Sequence, residues 1–286
     1  MILSFHPCYE ADANIICAGR EPDRADLEAI RAAAAVILPQ GCREGLYRLA
    51  RRNCAHVFPN YDARFNYSGK TGQAKLFKAL DFPHPRTWVF EDAADYYRKA
   101  EGLKKAHFPL VFKLDWGGEG DTVSLLQTPS DLNRALSRAE AFEQSGQHGF
   151  ILQKVVPNSN RTLRVAVIGQ TRIAYWRVQD DPAVFGTSMA GGARVDITSD
   201  PDLREKALNE TRRFCQQSQM NLAGIDFIYD GRQPLILEVN YFFGRTGLGG
   251  SDRFYDMLVA EVDRWLAGLG LSTHQRLTNT ESQNEI

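Results

Sequence analysis

The sequence lacks the cysteine arrangements that mark disulfide-rich or zinc-binding proteins. Its 286 residues include five cysteines, which are widely spaced and form no C-x-x-C pair. This distribution argues against a metal knuckle and a disulfide framework, and it fits a reducing compartment. We therefore expect a cytoplasmic protein.

Long apolar runs and an excess of one charge are also absent. No stretch approaches the roughly 20 apolar residues needed to cross a bilayer, and the start, Met1 to Phe5, has no basic residue of the kind that opens a signal peptide. The formal net charge is -1, which gives no general attraction to nucleic acid or anionic membrane. Neither partner is expected.

The P-loop motif G-x-x-x-x-G-K-[ST] is missing, so a nucleotide would need a different phosphate cradle. What the chain does contain is 43% hydrophobic and 24% charged residues. That composition and length are typical of a soluble protein with one to three domains.

The distribution of apolar runs divides the chain into segments. In residues 1–68, short apolar runs alternate with helical patterns, which predicts a small α/β domain with a parallel sheet. A second segment, 69–149, contains strands around a glycine-rich turn, and a third, 150–270, contains longer strands and a hairpin. The polar tail 271–286 is expected to be disordered.

The hairpin places polar residues in an apolar strand. Glu238 and Asn240 are two residues apart, so they share one face. If Tyr229 of the preceding strand pairs with Leu235, Asp226 lies opposite Glu238. Directly opposed carboxylates repel each other, and a divalent cation between them would remove that cost.

Asp226, Glu238 and Asn240 offer only oxygen, which suits Mg²⁺ or Mn²⁺ better than zinc. Magnesium usually takes one or two carboxylates plus phosphate oxygens, so this set indicates a nucleotide. A solvated hairpin face with ordinary surface acids explains the same three residues without a metal.

Three cations lie within apolar strands. Lys113 ends one such strand, and Arg164 and Arg177 interrupt two others. A buried cation is costly unless it meets an anion. The turn 116–121 follows Lys113, and its glycines would let backbone N–H groups approach phosphate oxygens. Positions on edge strands would explain the cations, and a plain glycine hairpin would explain the turn. A shared anion and metal site explains both features together.

The order of these residues resembles the ATP-grasp superfamily, most closely the branch of ribosomal-protein glutamate ligases and bacterial glutathione synthetases. The resemblance covers about residues 60–268. It implies a mixed α/β and α+β protein in which two α+β subdomains, 69–149 and 150–270, sandwich ATP behind a small parallel-sheet α/β domain, 1–68. The matching features, in order, are Lys70, Lys113 with its glycine turn, Phe150–Val156, Arg164, Arg177, Asp226 and Glu238-Val239-Asn240.

The resemblance also implies a role for each matching residue. Magnesium or manganese would be held by Asp226, Glu238 and Asn240. The transferred phosphoryl group or the acyl substrate would be bound by Arg164, Arg177 and Arg245. ATP would be contacted by Lys70, Lys113, Gly117, Gly118, Glu119, Gly120, Gln153, Lys154, Val155 and Val156.

The implied activity is ATP-dependent, ADP-forming carboxylate–amine ligation through an acyl phosphate, on amino-acid or peptide substrates. Dimers are common in the family, and the sequence leaves a homodimer open. Two alternatives remain: a kinase acting on a hydroxyl group, and a nucleotide-binding module without turnover. Lys154 and Thr162 stand where the family often carries acids, and Tyr241–Phe243 stand where Ser-Pro-Gly is frequent; these departures favour the non-catalytic alternative.

Overall fold

The computed structural model describes residues 1–17, 19–99, 107–118, 120–231 and 233–272. Three sheets organise these residues, and helices cover them. Within the described ranges, no helix combines the length and the apolar character that a membrane span requires. Most of the predicted tail, residues 273–286, lies outside these ranges.

The first sheet is parallel, as the alternating pattern of residues 1–68 predicted. Its elements are β1 (Ile2–Ser4), β2 (Ala13–Asn14), α1 (Arg24–Ala32), β3 (Ala35–Ile37), α2 (Glu44–Asn53) and β4 (Val57–Phe58). The strand order is β2-β1-β3-β4, so β1 and β3 are central neighbours. Asp23 begins α1 with a capping box, in which the side chains of Asp23 and Asp26 accept each other's backbone N–H groups.

The second sheet is antiparallel. Its region comprises α3 (Asp62–Asn66), α4 (Gly69–Ala79), β5 (Thr87–Phe90), α5 (Ala93–Lys99), β6 (Leu110–Leu114), β7 (Val123–Leu126), α6 (Pro129–Glu143) and β8 (Phe150–Lys154). The order is β5-β8-β6-β7, with β8 paired on both sides. The boundary predicted between residues 149 and 150 therefore falls too early, because β8 belongs to this sheet.

The third sheet is antiparallel and carries most of the charged residues singled out in the sequence. Its region comprises β9 (Arg161–Ile168), β10 (Thr171–Val178), β11 (Arg194–Asp196), α7 (Pro201–Ser218), β12 (Leu222–Asp230), β13 (Gln233–Asn240), a 3-10 turn (Thr246–Leu248) and α8 (Ser251–Gly268). The order is β11-β10-β9-β12-β13, which leaves β13 at an edge. One face packs on α7 and the other on α8.

Helix α8 joins the first and third sheets into one core. Phe254, Leu258 and Val262 of α8 are buried together with residues of the first sheet and with Ala166 and Leu222 of the third. Burial of apolar side chains on both sides of one helix fixes the two sheets relative to each other. The loop after β13 is thereby held against the first sheet.

The predicted hairpin register is wrong near the turn. Tyr229 pairs with Pro234 rather than with Leu235, and a β-bulge then adds one residue to β13. Because the extra residue shifts the register by one, Asp226 lies opposite Glu238 after all. The predicted opposition of the two carboxylates is confirmed.

Candidate active site

Four charged or polar side chains form one row across the third sheet. Glu238, Asp226, Arg164 and Tyr175 lie in register on β13, β12, β9 and β10. Arg177 is two residues beyond Tyr175 and therefore shares its face. The structure thus brings together residues that are far apart in the sequence.

Asp226 is the centre of a buried charge cluster, which consists of Asp226, Arg164, Arg177 and Asn240. Arg164 donates from Nε and Nη2 to the two carboxylate oxygens at 2.7 and 2.8 Å. Arg177 Nη2 donates at 2.7 Å and Asn240 Nδ2 at 3.2 Å, both to Oδ2. A carboxylate accepts about four hydrogen bonds. Oδ2 accepts three of these four bonds and Oδ1 accepts one, so Oδ1 keeps acceptor capacity, and the two guanidinium groups offset the charge of Asp226.

The arginines keep Asp226 ionised in the protein interior. Asp226 is 3% exposed, and burial alone would raise its pKa. Arg164 and Arg177 outweigh burial and hold the pKa below its ordinary value. Two cations face one anion, so the cluster keeps a net positive charge. The buried Nε of Arg177 has no hydrogen-bond partner among the described residues, which leaves one N–H donor available.

Glu238 and Asn240 retain the oxygen atoms that a cation could use. Asn240 donates its Nδ2 to Asp226, which leaves its Oδ1 as a free acceptor. No described side chain forms a hydrogen bond or ion pair with Glu238. Within the described ranges no three acidic, His or Cys side chains converge. A metal held by Glu238 and Asn240 would therefore draw further ligands from a bound substrate.

Lys113 supplies an isolated positive charge on the facing sheet. It lies on β6 and is 6% exposed. Burial lowers the pKa of Lys113 to about 8, although the charge of Glu238 acts in the opposite direction. Its Nζ makes no hydrogen bond to a described residue. A buried ammonium group without a direct partner is a ready binding site for an anion.

A cleft separates the second and third sheets at this point. The β-bulge turns two consecutive residues of β13, Leu237 and Glu238, toward it, although neighbours in a regular strand face opposite ways. The residues that line the cleft include Lys70, Gln73, Thr87, Lys113, Ile151, Gln153, Leu237 and Glu238. One cleft therefore combines two cations, a carboxylate and apolar walls.

Lys70 ties the first turn of α4 to the glycine-rich turn. Its Nζ donates to the carbonyl oxygens of Trp116 at 3.1 Å and Gly117 at 3.3 Å. Burial lowers the pKa of Lys70, against the charges of Glu238 and Asp115. The predicted contact with phosphate would compete with these carbonyl groups for the same ammonium.

The glycine-rich turn needs its glycines for backbone geometry. Gly117 and Gly120 have positive φ angles of 85° and 92°, and a Cβ on Gly117 would lie 2.5 Å from the Thr122 side chain. These conformations favour glycine and expose backbone N–H groups. Gly118 lies between them, whereas Glu119, also predicted to contact ATP, lies outside the described residues.

The predicted adenine segment divides into paired and unpaired parts. Gln153 is held within the ladder of β8, and the N–H of Lys154 donates to the carbonyl of Arg86 at 2.9 Å. The backbone groups of Val155 and Val156 make no hydrogen bond with the part of the chain that the structure describes. Only these two residues could offer their backbone to a base edge without breaking existing bonds.

Arg245 lies just before the 3-10 turn and contacts the first residues of α8, and it is not part of the buried charge cluster. Its Nη1 donates to Ser251 Oγ at 3.3 Å. Its Cζ is 4.5 and 4.4 Å from the ring centroids of Phe254 and Tyr255. Burial and the charge of Arg245 together lower the pKa of His6 to about 4. The structure therefore associates Arg245 with the end of β1.

Gln73 was not predicted from the sequence, yet it holds β13 in place. Its Oε1 accepts the N–H of Val239 at 2.8 Å and its Nε2 donates to the carbonyl of Val239 at 2.8 Å. Val239 lies between Glu238 and Asn240 on the edge strand. The side-chain amide thus replaces a neighbouring strand and positions both residues. A glutamine in an ordinary helical pattern gives no sequence signal for this role.

Comparisons with known proteins agree on one family. The sequence matches the RimK-like ATP-grasp domain over residues 70–256. A protein of Azotobacter vinelandii named probable alpha-L-glutamate ligase is 30% identical over 141 residues, which are 49% of this chain and 44% of that protein. The chain therefore spans less than half the length of this relative.

Solved structures show the same architecture. A RimK domain ATP-grasp protein from Sphaerobacter thermophilus superimposes with a TM-score of 0.60 at 14% identity, covering 91% of this chain and 98% of that one. N5-carboxyaminoimidazole ribonucleotide synthetase from Thermus thermophilus gives a TM-score of 0.60 at 19% identity, covering 95% of this chain and 72% of that one. The predicted ATP-grasp fold is confirmed.

Asp226→Asn is expected to destabilise the protein strongly, because Arg164 and Arg177 would remain buried without a counter-charge. Removing one partner of a buried ion pair costs about 3–5 kcal/mol. Glu238→Gln removes a carboxylate that no guanidinium contacts, so it should lower the free energy of unfolding much less. Urea titrations of both variants test this. Equal losses would show that stability does not depend on the buried pair.

Gln73→Leu is expected to loosen β13. Val239 is 2% exposed, so water cannot replace its two lost partners, and the free energy of unfolding should fall by about 1–3 kcal/mol. Hydrogen exchange of the Val239 amide should accelerate. Gln217→Leu, at an exposed position of α7, is the matched control and should stay within about 0.5 kcal/mol. Unchanged exchange at Val239 would refute the role of Gln73.

Lys113→Met is expected to stabilise the protein at pH 7. The pKa of Lys113 falls from 10.5 to about 8 on folding, so below pH 8 the folded state carries a buried charge that costs roughly 3 kcal/mol. Between pH 8 and 10.5 the unfolded state binds more protons than the folded state, so the free energy of unfolding of the wild type rises with pH. The advantage of the variant should therefore shrink across that window. Urea titrations at pH 7, 9 and 10.5 measure it, and a constant difference would contradict the shifted pKa.

Proposed function

Because the chain belongs to the RimK-like ATP-grasp family, we propose that it is an ATP-dependent carboxylate–amine ligase that forms ADP. The observation that carries the proposal is the isolated, buried ammonium of Lys113, which faces Glu238 across a cleft between two sheets. Phosphate oxygens would supply the anion that Lys113 lacks, and a cation on Glu238 would accompany them.

The nucleotide is assigned to the cleft between the second and third sheets. Lys113 and Lys70 hold phosphate oxygens, and the backbone of Gly117, Gly118 and Gly120 closes over them. Val155 and Val156 offer free backbone groups to the adenine edge. On this proposal Lys70 exchanges its carbonyl partners for phosphate, so nucleotide binding changes how the glycine-rich turn is held.

Magnesium fits the oxygen atoms that remain free. Glu238 and Asn240 would hold the ion, because the Glu238 carboxylate and Asn240 Oδ1 have no competing partner among the described residues. Asp226, the third predicted ligand, could join them through Oδ1, which accepts one hydrogen bond, from Arg164. When bound, the ion would neutralise charge on the phosphate chain. Manganese could replace it at such a set of oxygen ligands.

The chemistry requires charge neutralisation and positioning more than a protein nucleophile. A substrate carboxylate oxygen attacks the γ-phosphorus of ATP, and ADP leaves as the acyl phosphate forms. The amine nitrogen then attacks the acyl carbon, loses a proton and expels phosphate. Arg177, with its unpaired buried Nε, and Arg164 stabilise the transferring group.

Two buried cysteines are poor nucleophiles. Burial raises the pKa of Cys42 to about 12 and that of Cys215 to about 11, so both remain thiols near pH 7. The proposed reaction uses neither of them. The five widely spaced cysteines, without a C-x-x-C pair, fit a reducing compartment, and we propose the cytoplasm.

Amino acids are the proposed substrate class, with L-glutamate as the first candidate. The support is the Azotobacter vinelandii relative named probable alpha-L-glutamate ligase. The acceptor is a small-molecule or peptide carboxylate. The positive charge of Lys113 in the cleft, together with that of Arg164 and Arg177 in the buried charge cluster, suits two reactants that are both anions.

ADP release is expected to require magnesium, an amine substrate and a carboxylate substrate together. Purified protein would be assayed with Mg²⁺, ATP, L-glutamate and pools of amino acids, peptides and small carboxylic acids. Glu238→Gln and Asn240→Ala should reduce ADP release by about 100-fold or more, since the first replaces a charged carboxylate ligand of the metal with a neutral amide and the second removes an amide oxygen ligand. Glu205→Gln, an exposed carboxylate of α7, is the matched control.

Three results would overturn the ligase proposal in different ways. A stable phosphate ester as product would assign a kinase acting on a hydroxyl group. ATP binding without ADP release across all pools would assign a binding module without turnover. Full activity of both Glu238→Gln and Asn240→Ala would refute the metal site.

A further inference from the structure

Two buried polar side chains near the active site lack hydrogen-bond partners. Gln40 is 5% exposed, and neither its Nε2 nor its Oε1 finds a partner among the described residues. The buried hydroxyl of Tyr241 is likewise unpaired. Buried polar groups are nearly always satisfied in native proteins, and each unsatisfied group costs about 1–3 kcal/mol. Their presence together indicates a missing partner.

These two side chains belong to one cluster between the first and third sheets. Tyr61 donates its hydroxyl to the main-chain carbonyl of Gln40 at 3.1 Å, and its ring centroid is 5.9 Å from that of Tyr241. Arg64 donates to the same main-chain carbonyl at 3.0 Å, and its Cζ is 5.9 Å from the Tyr241 ring. The main chain of Gln40 and the ring of Tyr241 therefore share two neighbours, Tyr61 and Arg64.

The position of Gln40 in the fold is independent support for a ligand site. Gln40 follows β3, and His6 follows β1, the central neighbours of the parallel sheet. The chain crosses from β2 on one side of β1 to β3 on the other, so the carboxyl ends of β1 and β3 mark a topological switch point. Ligands of open parallel sheets bind at such points. Tyr241 directly follows Asn240, which places this point beside the proposed metal site.

The charged and polar groups of the cluster indicate which kind of ligand would bind there. Arg64 forms no ion pair with a described acidic residue, so its charge is available to a carboxylate. The amide of Gln40 offers a donor and an acceptor side by side, which match a carboxylate oxygen and an amine N–H. The Tyr241 hydroxyl can complete either interaction. An α-amino acid carries both groups on one carbon atom.

We propose that Gln40, Tyr241 and Arg64 form a recognition site for the α-amino and α-carboxylate groups of a free amino acid. The proposal rests on the ligase function, for which this ligand is one of the two substrates, and it makes the three residues determinants of substrate specificity. The orphaned atoms are sealed from solvent, so residues 241–250 shift to admit the ligand. Gly249 and Gly250 in that segment have positive φ angles of 88° and 103°, a backbone that can rearrange at little steric cost.

Removal of the orphaned groups is expected to increase stability and to weaken substrate binding. Gln40→Leu and Tyr241→Phe each delete an unsatisfied buried group and should raise the thermal midpoint. Both should also raise KM for the amino acid at least tenfold while leaving KM for ATP unchanged. Thr211→Val is the matched control, because the Thr211 hydroxyl on α7 is also buried and unpaired. It should raise the midpoint without changing KM.

The binding test uses defined probes, with thermal shift as the readout. The wild type and the three variants would be titrated with each of the twenty proteinogenic L-amino acids, in the presence of Mg²⁺ and a non-hydrolysable ATP analogue. At least one amino acid should raise the midpoint of the wild type and of Thr211→Val. It should fail to do so in Gln40→Leu and Tyr241→Phe. Analogues that lack the α-carboxylate or the α-amine should have no effect on any of them.

The outcomes distinguish this inference from the proposed function. If the ATP analogue does not stabilise the wild type, the ligase proposal itself fails. If the analogue binds, but no amino acid binds or Gln40→Leu and Tyr241→Phe bind one as the wild type does, only the recognition site is refuted. An unchanged KM combined with a raised midpoint would show that the orphaned groups are unpaired but bind no substrate, which also refutes the recognition site.

Discussion

The ion pairing of Asp226 with Arg164 and Arg177 is the interaction on which the rest of the site depends. Each of these charges would be prohibitively costly in a sheet interior alone, and each is made acceptable by the others. Asp226 also accepts the Asn240 amide, which turns the oxygen of Asn240 outward. One carboxylate thus buries two cations, fixes a proposed metal ligand and leaves net positive charge where a phosphoryl group would lie.

A second constraint links the two sheets that enclose the cleft. Helix α4 reaches the glycine-rich turn through Lys70 and the edge strand β13 through Gln73. Both contacts are hydrogen bonds to backbone groups. They therefore depend on where the backbone of the turn and of β13 lies, and not on which side chains those segments carry. Helix α4 therefore bridges the glycine-rich turn and the strand that carries Glu238 and Asn240.

The sequence predicted the residues of the site better than their partners. Alternation along β13 correctly placed Glu238 and Asn240 on one face, and the opposition of Glu238 to Asp226 was confirmed. The register that led to it was wrong near the turn, because a β-bulge depends on how a strand bends over its core and leaves no mark in a hydrophobic pattern. The arginines that offset the charge of Asp226 were not predicted as its partners, because they come from strands 62 and 49 residues away in the sequence.

The sequence by itself determined the element types, the parallel first sheet, the isolated cations within strands and the ATP-grasp family, because these follow from local periodicity and from the order of residues along the chain. Only the tertiary structure decided which groups remain unpaired. No distinctive sequence context marks Gln40, Gln73 and Arg64. Their importance comes from the residues they contact in other sheets, such as Val239 for Gln73 and Tyr241 for Arg64. Whether a polar group is satisfied depends on neighbours that folding brings together, so it cannot be read from a strand or a helix alone.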